Sequence, residues 1–354
     1  MSAMWDLPDY DDHEIVHFIR DIDSGLSAII ALHSTHLGPA GGGTRFWHYA
    51  DKMGAVKDVL RLSRGMSYKN AMAGLPMGGG KAVILADDSR TKTPEMLEAF
   101  GRAVEGLGGK YVTAEDVGIS VADMLEVAKQ TSYVSGLPAQ GDHAGGDPGP
   151  FTAFGIFLGI RAAVRHKLDR DSMDGVHVAI QGTGSVGGRL ARLLAEDGAK
   201  LTLADINDDA ANDLAAELGG ETASTDEIMG VDCDVFSPNA LGGILDDASI
   251  AALQAPIVAG GANNQLARPE HGRVLAERDI LYAPDYVINA GGIISVAHEY
   301  FAKTEGREAD VSDVRERIGE IPDRLVSIWE EAKDSGLTSA EVADKRAQTL
   351  IGRG

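Results

Sequence analysis

The chain has 354 residues, 44% of them hydrophobic, and a formal net charge of −22. That length suffices for two domains with cores of their own, and the charge argues against nucleic acid or an anionic membrane surface as partner. No apolar run approaches the roughly 18 residues of a membrane span, and the single cysteine, Cys233, excludes an internal disulfide, which fits a reducing cytoplasm.

The N-terminal MSAMWDLPDYDDHE is acidic and has no charged-then-apolar signal segment. His13–Arg20 and Leu26–His33 are β-rich runs around Asp23-Ser24-Gly25 and predict a hairpin. GPAGGGTR (38–45) is too glycine-rich for an element and reads as a loop lining a cleft. Ala50–Arg64 has helical spacing through Met53, Val56, Leu60 and Leu62. The stretch RGMSYKNAMAGLPMGGGKAVILA (64–86) sets Lys69 and Lys81 around a loop of three glycines, Gly78–Gly80, ahead of a buried strand over Ala82–Ala86. Such glycines would let backbone N–H groups face an anion. GGGK by itself fits a solvated turn lysine better.

Thr93–Leu107 predicts a helix with Thr93 as N-cap and Pro94 at its first position. The short strand Lys110–Thr113 delivers Asp116 to a turn. There Asp116 either caps a helix over Val121–Lys129, a role for which Ser120 competes, or faces a cleft.

The Gly/Pro/Asp cluster Gly141–Pro150 predicts a linker, and Thr152–His166 an apolar-rich helix. The strand Val176–Gln181 then runs into Gly182-Thr183-Gly184-Ser185-Val186-Gly187 and a helix over Val186–Glu196. Strand Lys200–Ala204 ends at Asp205, about 20 residues past the glycine turn. The glycines admit a pyrophosphate to the backbone, and the helix N-terminus offers N–H groups and a positive dipole. Asp205 would accept the adenosine ribose hydroxyls and repel a 2′-phosphate, so NAD is the expected cofactor rather than NADP.

The pattern continues with a helix over Asp209–Leu218, a strand Cys233–Phe236 with an inert packed thiol, and a helix near Ala248–Leu253. Strands Ile257–Ala259 and Ile280–Tyr282 follow, then helices over Val311–Asp334 and Ser339–Ile351, the last folding back toward the first domain. Loops bearing Asn239 and Ala240, Asn263, and Asn289 leave the carboxyl ends of strands or open a helix. The nicotinamide half would lie there. Thr152 and Ile206 complete the candidate cofactor contacts. The expected fold is α/β in two domains with an active-site cleft between them. Residues 1–146, joined by a C-terminal helix over about 330–354, would form the substrate domain, and 147–329 the NAD-binding Rossmann domain.

Seven motifs together resemble the glutamate/leucine/phenylalanine/valine dehydrogenase family across roughly residues 13–350. They are GPAGGGTR (38–45), RGMSYKNAMAGLPMGGGKAVI (64–84), TAEDVG (113–118), GDPGPFTAFG (146–155), QGTGSVGG (181–188), GGANNQL (260–266) and YAPDYVINAGG (282–292). The resemblance implies reversible oxidative deamination of an L-amino acid to a 2-oxo acid and ammonia with NAD. On matching positions it implies that Lys69 holds the substrate α-carboxylate, beside Gly41 and Gly42. Lys81 would be the general acid/base for the attacking water, and Asp116 would exchange protons with the substrate nitrogen. A lysine is a base near neutral pH only where desolvation or a neighbouring cation lowers its pKa.

In glutamate-specific members a Lys is expected at position 41 and a Ser near 296. Gly41 and Val296 offer neither, and with Met66, Ala114 and Ile293 they imply an apolar side-chain pocket, the loop residue Asn263 being a further expected substrate contact. Leucine-type members carry bulk at 41, so the glycine would admit phenylalanine, whereas TAEDVG and SYKNAMAG stand closer to the leucine/valine branch. A branched-chain substrate is therefore expected, with phenylalanine as the alternative. Asn239 stands where a Cys is frequent and His298 where an acid is. A homo-oligomer is expected and no metal. Two rivals remain. A silent NAD-binding regulatory protein is opposed by the joint retention of Lys69, Lys81 and Asp116. A hydroxy-acid dehydrogenase is opposed because His271 and His298 lack the matching His–acid motif.

Overall fold

The computed structural model describes residues 4–89, 91–138 and 145–354. The chain divides into two compact units: Met1–Asp147 with Ile294–Val314 and Arg346–Gly354, and Pro148–Ile293 with Arg315–Lys345.

The first unit runs β1 (Ile15–Arg20), β2 (Ser27–Ser34), β3 (Ala40–Gly41), β4 (Thr44–Trp47), α1 (Lys52–Met72), β5 (Gly78–Leu85), α2 (Pro94–Glu105), β6 (Tyr111–Val112) and α3 (Val121–Ala128). β1 and β2 form the expected hairpin, and β2 continues antiparallel onto β5. Along the other edge of β5 lie β3 and then β4, both parallel to it, with β6 beyond β3. The period-two alternation of strand side chains decides the layers. Ile30, Leu32, Ala82 and Ile84 cluster with Phe100 of α2 and Met124 of α3, whereas Ile29, Ala31 and Val83 cluster with Val59 and Leu60 of α1. Each Val, Leu, Ile, Phe or Met among them contributes roughly 1.5–3 kcal/mol by leaving water.

GPAGGGTR is not a loop but two strands, and Gly78–Gly80 is strand rather than a loop with free N–H groups. A Cβ on Gly42 would overlap the Gly80 carbonyl oxygen, and one on Gly79 would overlap the Ser67 amide nitrogen. These glycines therefore allow backbone to pack on backbone. Helix α1 does not stop at Arg64. Its buried stripe continues through Ser67, Tyr68, Ala71 and Met72, so Lys69 lies on its last turn and not in a loop. Ser120 closes a capping box at α3, which leaves Asp116 for other work.

The second unit begins with α4 (Gly149–Leu168), β7 (His177–Gln181), α5 (Ser185–Glu196), β8 (Lys200–Ala204), α6 (Asp208–Leu218) and β9 (Glu221–Thr222). It continues with β10 (Val235–Pro238), α7 (Asp247–Ala252), β11 (Ile257–Val258), α8 (His271–Glu277), β12 (Leu281–Tyr282) and α9 (Asp285–Ile288). Its sheet is all parallel in the order β12-β11-β10-β7-β8-β9, the doubly wound arrangement with its reversal between β7 and β10. Cys233 precedes the strand it was expected in, and burial pushes its thiol up to about 12. Of the expected linker, residues 141–144 lie outside the described residues, and Gly149 and Pro150 already belong to α4.

α10 (Gly291–Thr304) leads out of the second unit, followed by α11 (Val311–Ile318), α12 (Ile321–Ser335) and α13 (Ser339–Leu350). The single helix expected over Val311–Asp334 is thus two, with Pro322 in the first turn of α12. The return to the first unit begins at Arg346 rather than near residue 330. Trp329 Nε1 donates to the Tyr282 carbonyl at 3.0 Å and Arg273 pairs with Glu341 at 2.9 Å, which holds the preceding residues on the second unit. No helix among the described residues is long and apolar enough to cross a membrane.

Candidate active site

The first unit holds a partly buried chain of charges. Lys81, only 7% exposed on β5, forms an ion pair through Nζ with Asp116 Oδ2. The same oxygen accepts Arg45 Nε at 3.0 Å, and Arg45 Nη1 reaches Asp58 Oδ2 at 3.0 Å. Tyr49 OH closes the network on Asp58 at 2.7 Å. Burial opposes ionisation of Asp116, but Lys81 and then Arg45 outweigh it and lower its pKa to about 2. The carboxylate is therefore a fixed acceptor held between two cations.

Arg45, Asp58 and Tyr49 were not assigned in the sequence. Arg45 ends the GPAGGGTR motif, which is its one signal. Nothing local marks Asp58 or Tyr49, whose role arises only because β4 and α1 flank the same strand.

Several of the expected substrate residues lie on or beside the elements that carry this network. Lys69 sits on the last turn of α1 one turn after Met66, and Gly79 lets that helix lie directly on β5. Gly42 lies under Met66, whose Cγ would be 3.1 Å from a Cβ there, and its carbonyl accepts Tyr111 OH at 2.6 Å. Ala114 is buried and its carbonyl receives the Thr44 amide at 2.9 Å. Gly41 does not leave an open space, contrary to expectation. A Cβ there would meet Met77 Cε at 2.9 Å and Sδ at 3.1 Å. Ile293 and Val296 are both half-buried and three residues apart on α10, where Ile293 closes a stretch of the second unit and Val296 belongs to the first.

In the second unit, Gly182 adopts φ +94°, and a Cβ on it would press on Ala240 at 2.9 Å. Gly184 is the N-cap of α5 and makes no side-chain cap bond, while a Cβ on Gly184 would meet nothing within 4 Å. The helix thus opens on a cradle with uncapped N–H donors, the shape and charge a pyrophosphate needs. Asp205 Oδ2 accepts Thr183 N at 2.7 Å and Thr183 Oγ1 at 3.1 Å, and Oδ1 accepts Asn207 N at 3.0 Å. Burial disfavours its charge, yet these hydrogen bonds lower its pKa, so it remains an ionised acceptor beside the cradle.

The expected polar loops converge at the reversal of strand order. Asn239 Oδ1 accepts Gly261 N at 2.9 Å, and Asn289 Nδ2 donates to Gly261 O at 3.0 Å and to Asn263 Oδ1 at 2.9 Å. Asn289 Oδ1 is buried without a partner among the described residues. Val186 packs by the same Gly261, and Thr152 Oγ1 bonds Pro148 O at 3.0 Å beside Gly292. Ser185 is held by Arg189, and Ile206 projects 95% exposed past β8. The residues present therefore fit NAD, from the uncapped cradle at Gly184 to the unpartnered amide oxygen of Asn289.

Fold and site together define a nicotinamide-dinucleotide-dependent dehydrogenase. Residues 13–133 match the family model described as Glu/Leu/Phe/Val dehydrogenase, dimerisation domain, and residues 202–349 that described as Glutamate/Leucine/Phenylalanine/Valine dehydrogenase. A leucine dehydrogenase of Geobacillus stearothermophilus is 45% identical over 340 residues, 96% of this chain and 91% of that one. A valine dehydrogenase of Streptomyces virginiae is 46% identical over 343 residues, 96% of this chain and 94% of that one. The crystal structure of L-tryptophan dehydrogenase from Nostoc punctiforme is similar at TM-score 0.82 and 41% identity, covering 96% of each chain. The chain belongs to the glutamate/leucine/phenylalanine/valine dehydrogenase family, amino-acid dehydrogenases that work with NAD by oxidative deamination.

Proposed function

We propose that the protein deaminates a branched-chain L-amino acid, leucine or valine, to its 2-oxo acid and ammonia. The observation that carries this reading is the apolar set Gly41, Met66, Met77 and Ala114 around the Lys81–Asp116 pair. It offers no cation to a distal carboxylate, and an unpaired buried carboxylate costs several kcal/mol, which disfavours glutamate and aspartate. The leucine and valine dehydrogenase relatives point the same way. An aromatic substrate is the second reading, favoured by the similarity to an L-tryptophan dehydrogenase.

In this reading Lys69 anchors the substrate α-carboxylate from the end of α1. Asp116, kept ionised by Lys81 and Arg45, accepts a proton from the substrate ammonium, so that the nitrogen is neutral when Cα is oxidised. Lys81, in its deprotonated form, takes the proton of the water that attacks Cα and returns one in the reverse direction. Bound NAD supplies the hydride acceptor. Gly182–Gly187 and Asp205 hold its pyrophosphate and adenosine ribose, and Thr152, Asn239, Ala240, Asn263 and Asn289 surround its nicotinamide end, with Ile206 beside the adenosine. A homo-oligomer in a reducing cytoplasm completes the proposal, in keeping with the dimerisation-domain match and one buried cysteine.

The test is kcat/KM with NAD, followed at 340 nm, for leucine, valine, phenylalanine, tryptophan and glutamate. Leucine and valine are expected to lead. A lead for glutamate, or no turnover of any apolar amino acid, overturns the reading.

A further inference from the structure

Gly79, Lys81 and Val83 point toward α1, since Val83 clusters with Val59 and Leu60 of that helix. Met77 continues this file one step earlier. Gly41 pairs in register with Gly79, and its neighbour Ala40 belongs to the opposite core, so a side chain at 41 would also face α1. That volume is taken. Met77 Cε and Sδ lie 2.9 and 3.1 Å from where the Cβ would be, and Asn70 Nδ2 lies 3.6 Å from it. Asn70 is fixed in place, donating to Gly41 O at 3.3 Å and Gly78 O at 2.6 Å. Met77 is 1% exposed and reaches in from the position just before β5, in line with the face that carries Lys81.

We propose that Met77 is a specificity-determining residue: its thioether supplies the bulk that residue 41 lacks, and so restricts the substrate side chain to branched-chain size. The inference rests on the apolar-substrate reading above. Positions 41 and 77 draw on one volume, so a side chain at 41 displaces the end of the Met77 thioether. Methionine suits the place because its unbranched chain adapts to an irregular gap.

The experiment compares wild type, Met77→Ala, Gly41→Leu and the double variant with leucine and phenylalanine, alongside NADH affinity by fluorescence and the urea midpoint. A difference of one or two methylenes in such a pocket changes kcat/KM about tenfold or more. Met77→Ala is therefore expected to raise the phenylalanine-to-leucine ratio about tenfold. Gly41→Leu alone is expected to lower kcat/KM for leucine about tenfold, and adding Met77→Ala should restore most of it, with NADH affinity constant throughout. Should Met77→Ala fail to fold, Met77→Val reads the same ratio. An unchanged ratio, or a double variant as impaired as Gly41→Leu, overturns the proposal. A wild type silent on every apolar amino acid removes the substrate reading instead. The shared volume is then read from the urea midpoints, where additive effects of the two substitutions overturn it.

Discussion

The two units build their sites in opposite ways. In the second, the turn Gly182–Gly187, the helix it opens and the acid at the next strand end come from one continuous stretch, and one βαβ unit assembles them. In the first, Arg45, Asp58, Lys81 and Asp116 come from β4, α1, β5 and the turn after β6, and meet only when those elements stack. A local site tolerates damage elsewhere, whereas a site assembled from distant segments depends on each of them.

The sharpest cut through this contrast is Lys81→Ala. Turnover is expected to fall by about 10³ or more while NAD affinity, a property of the other unit, stays at the wild-type value. Turnover near wild type in that variant removes Lys81 from the chemistry.

Acid should act on the first unit next. His33 is buried, with Nδ1 2.8 Å from Ser67 Oγ and Nε2 2.8 Å from Arg353 Nη1 and 3.1 Å from Asp11 Oδ2. Arg353 also donates to the carbonyls of Asp11, Asp12 and His33, so Nε2 must accept. Burial first, and then Arg353 and His13, lower the His33 pKa from 6.5 to about 4. The unfolded chain therefore takes up the proton before the folded one. Stability is complete above the unfolded value of 6.5 and declines as pH falls to about 4, by on the order of 3 kcal/mol. Urea midpoints at pH 7 and 4.5 measure it, and the slope should flatten in His33→Gln. An equal slope in that variant assigns the acid sensitivity to other groups.

A smaller effect is expected at Arg45. Arg45→Met removes one of the two cations on Asp116, so the carboxylate ionises at higher pH. The acid limb of kcat/KM should move upward and the rate at neutral pH fall about tenfold. A purely structural Arg45 would lower the rate without moving that limb.

The mildest tests lie in the second unit. Gly184→Ala places a methyl in open space and is expected to fold normally while weakening NAD binding severalfold. Gly182→Ala meets Ala240 at a positive φ and should also lose about 1–3 kcal/mol of stability. If Gly184→Ala binds NAD as tightly as wild type does, the cradle at Gly184 is not where the cofactor sits.

Much of this was legible in residue order. The hairpin, the helix capped at Thr93, the parallel α/β alternation and the fingerprint with Asp205 rest on period-two strands, caps and φ-positive glycines, all set by near neighbours. The same logic misread the glycines around Lys81. A GGG run looks like a loop until another backbone, here Ser67 of α1, is laid against it.

Residue order by itself determined the family, the cofactor class and the chemical types at Lys69, Lys81 and Asp116. Tertiary structure alone decided that Lys69 ends a helix, that Arg45 shares Asp116 with Lys81, and that Met77 fills the space over Gly41. The reason is physical. Helices, turns and strand faces follow from residues a few positions apart, whereas a buried charge or a filled volume depends on whichever distant segment the packing brings against it.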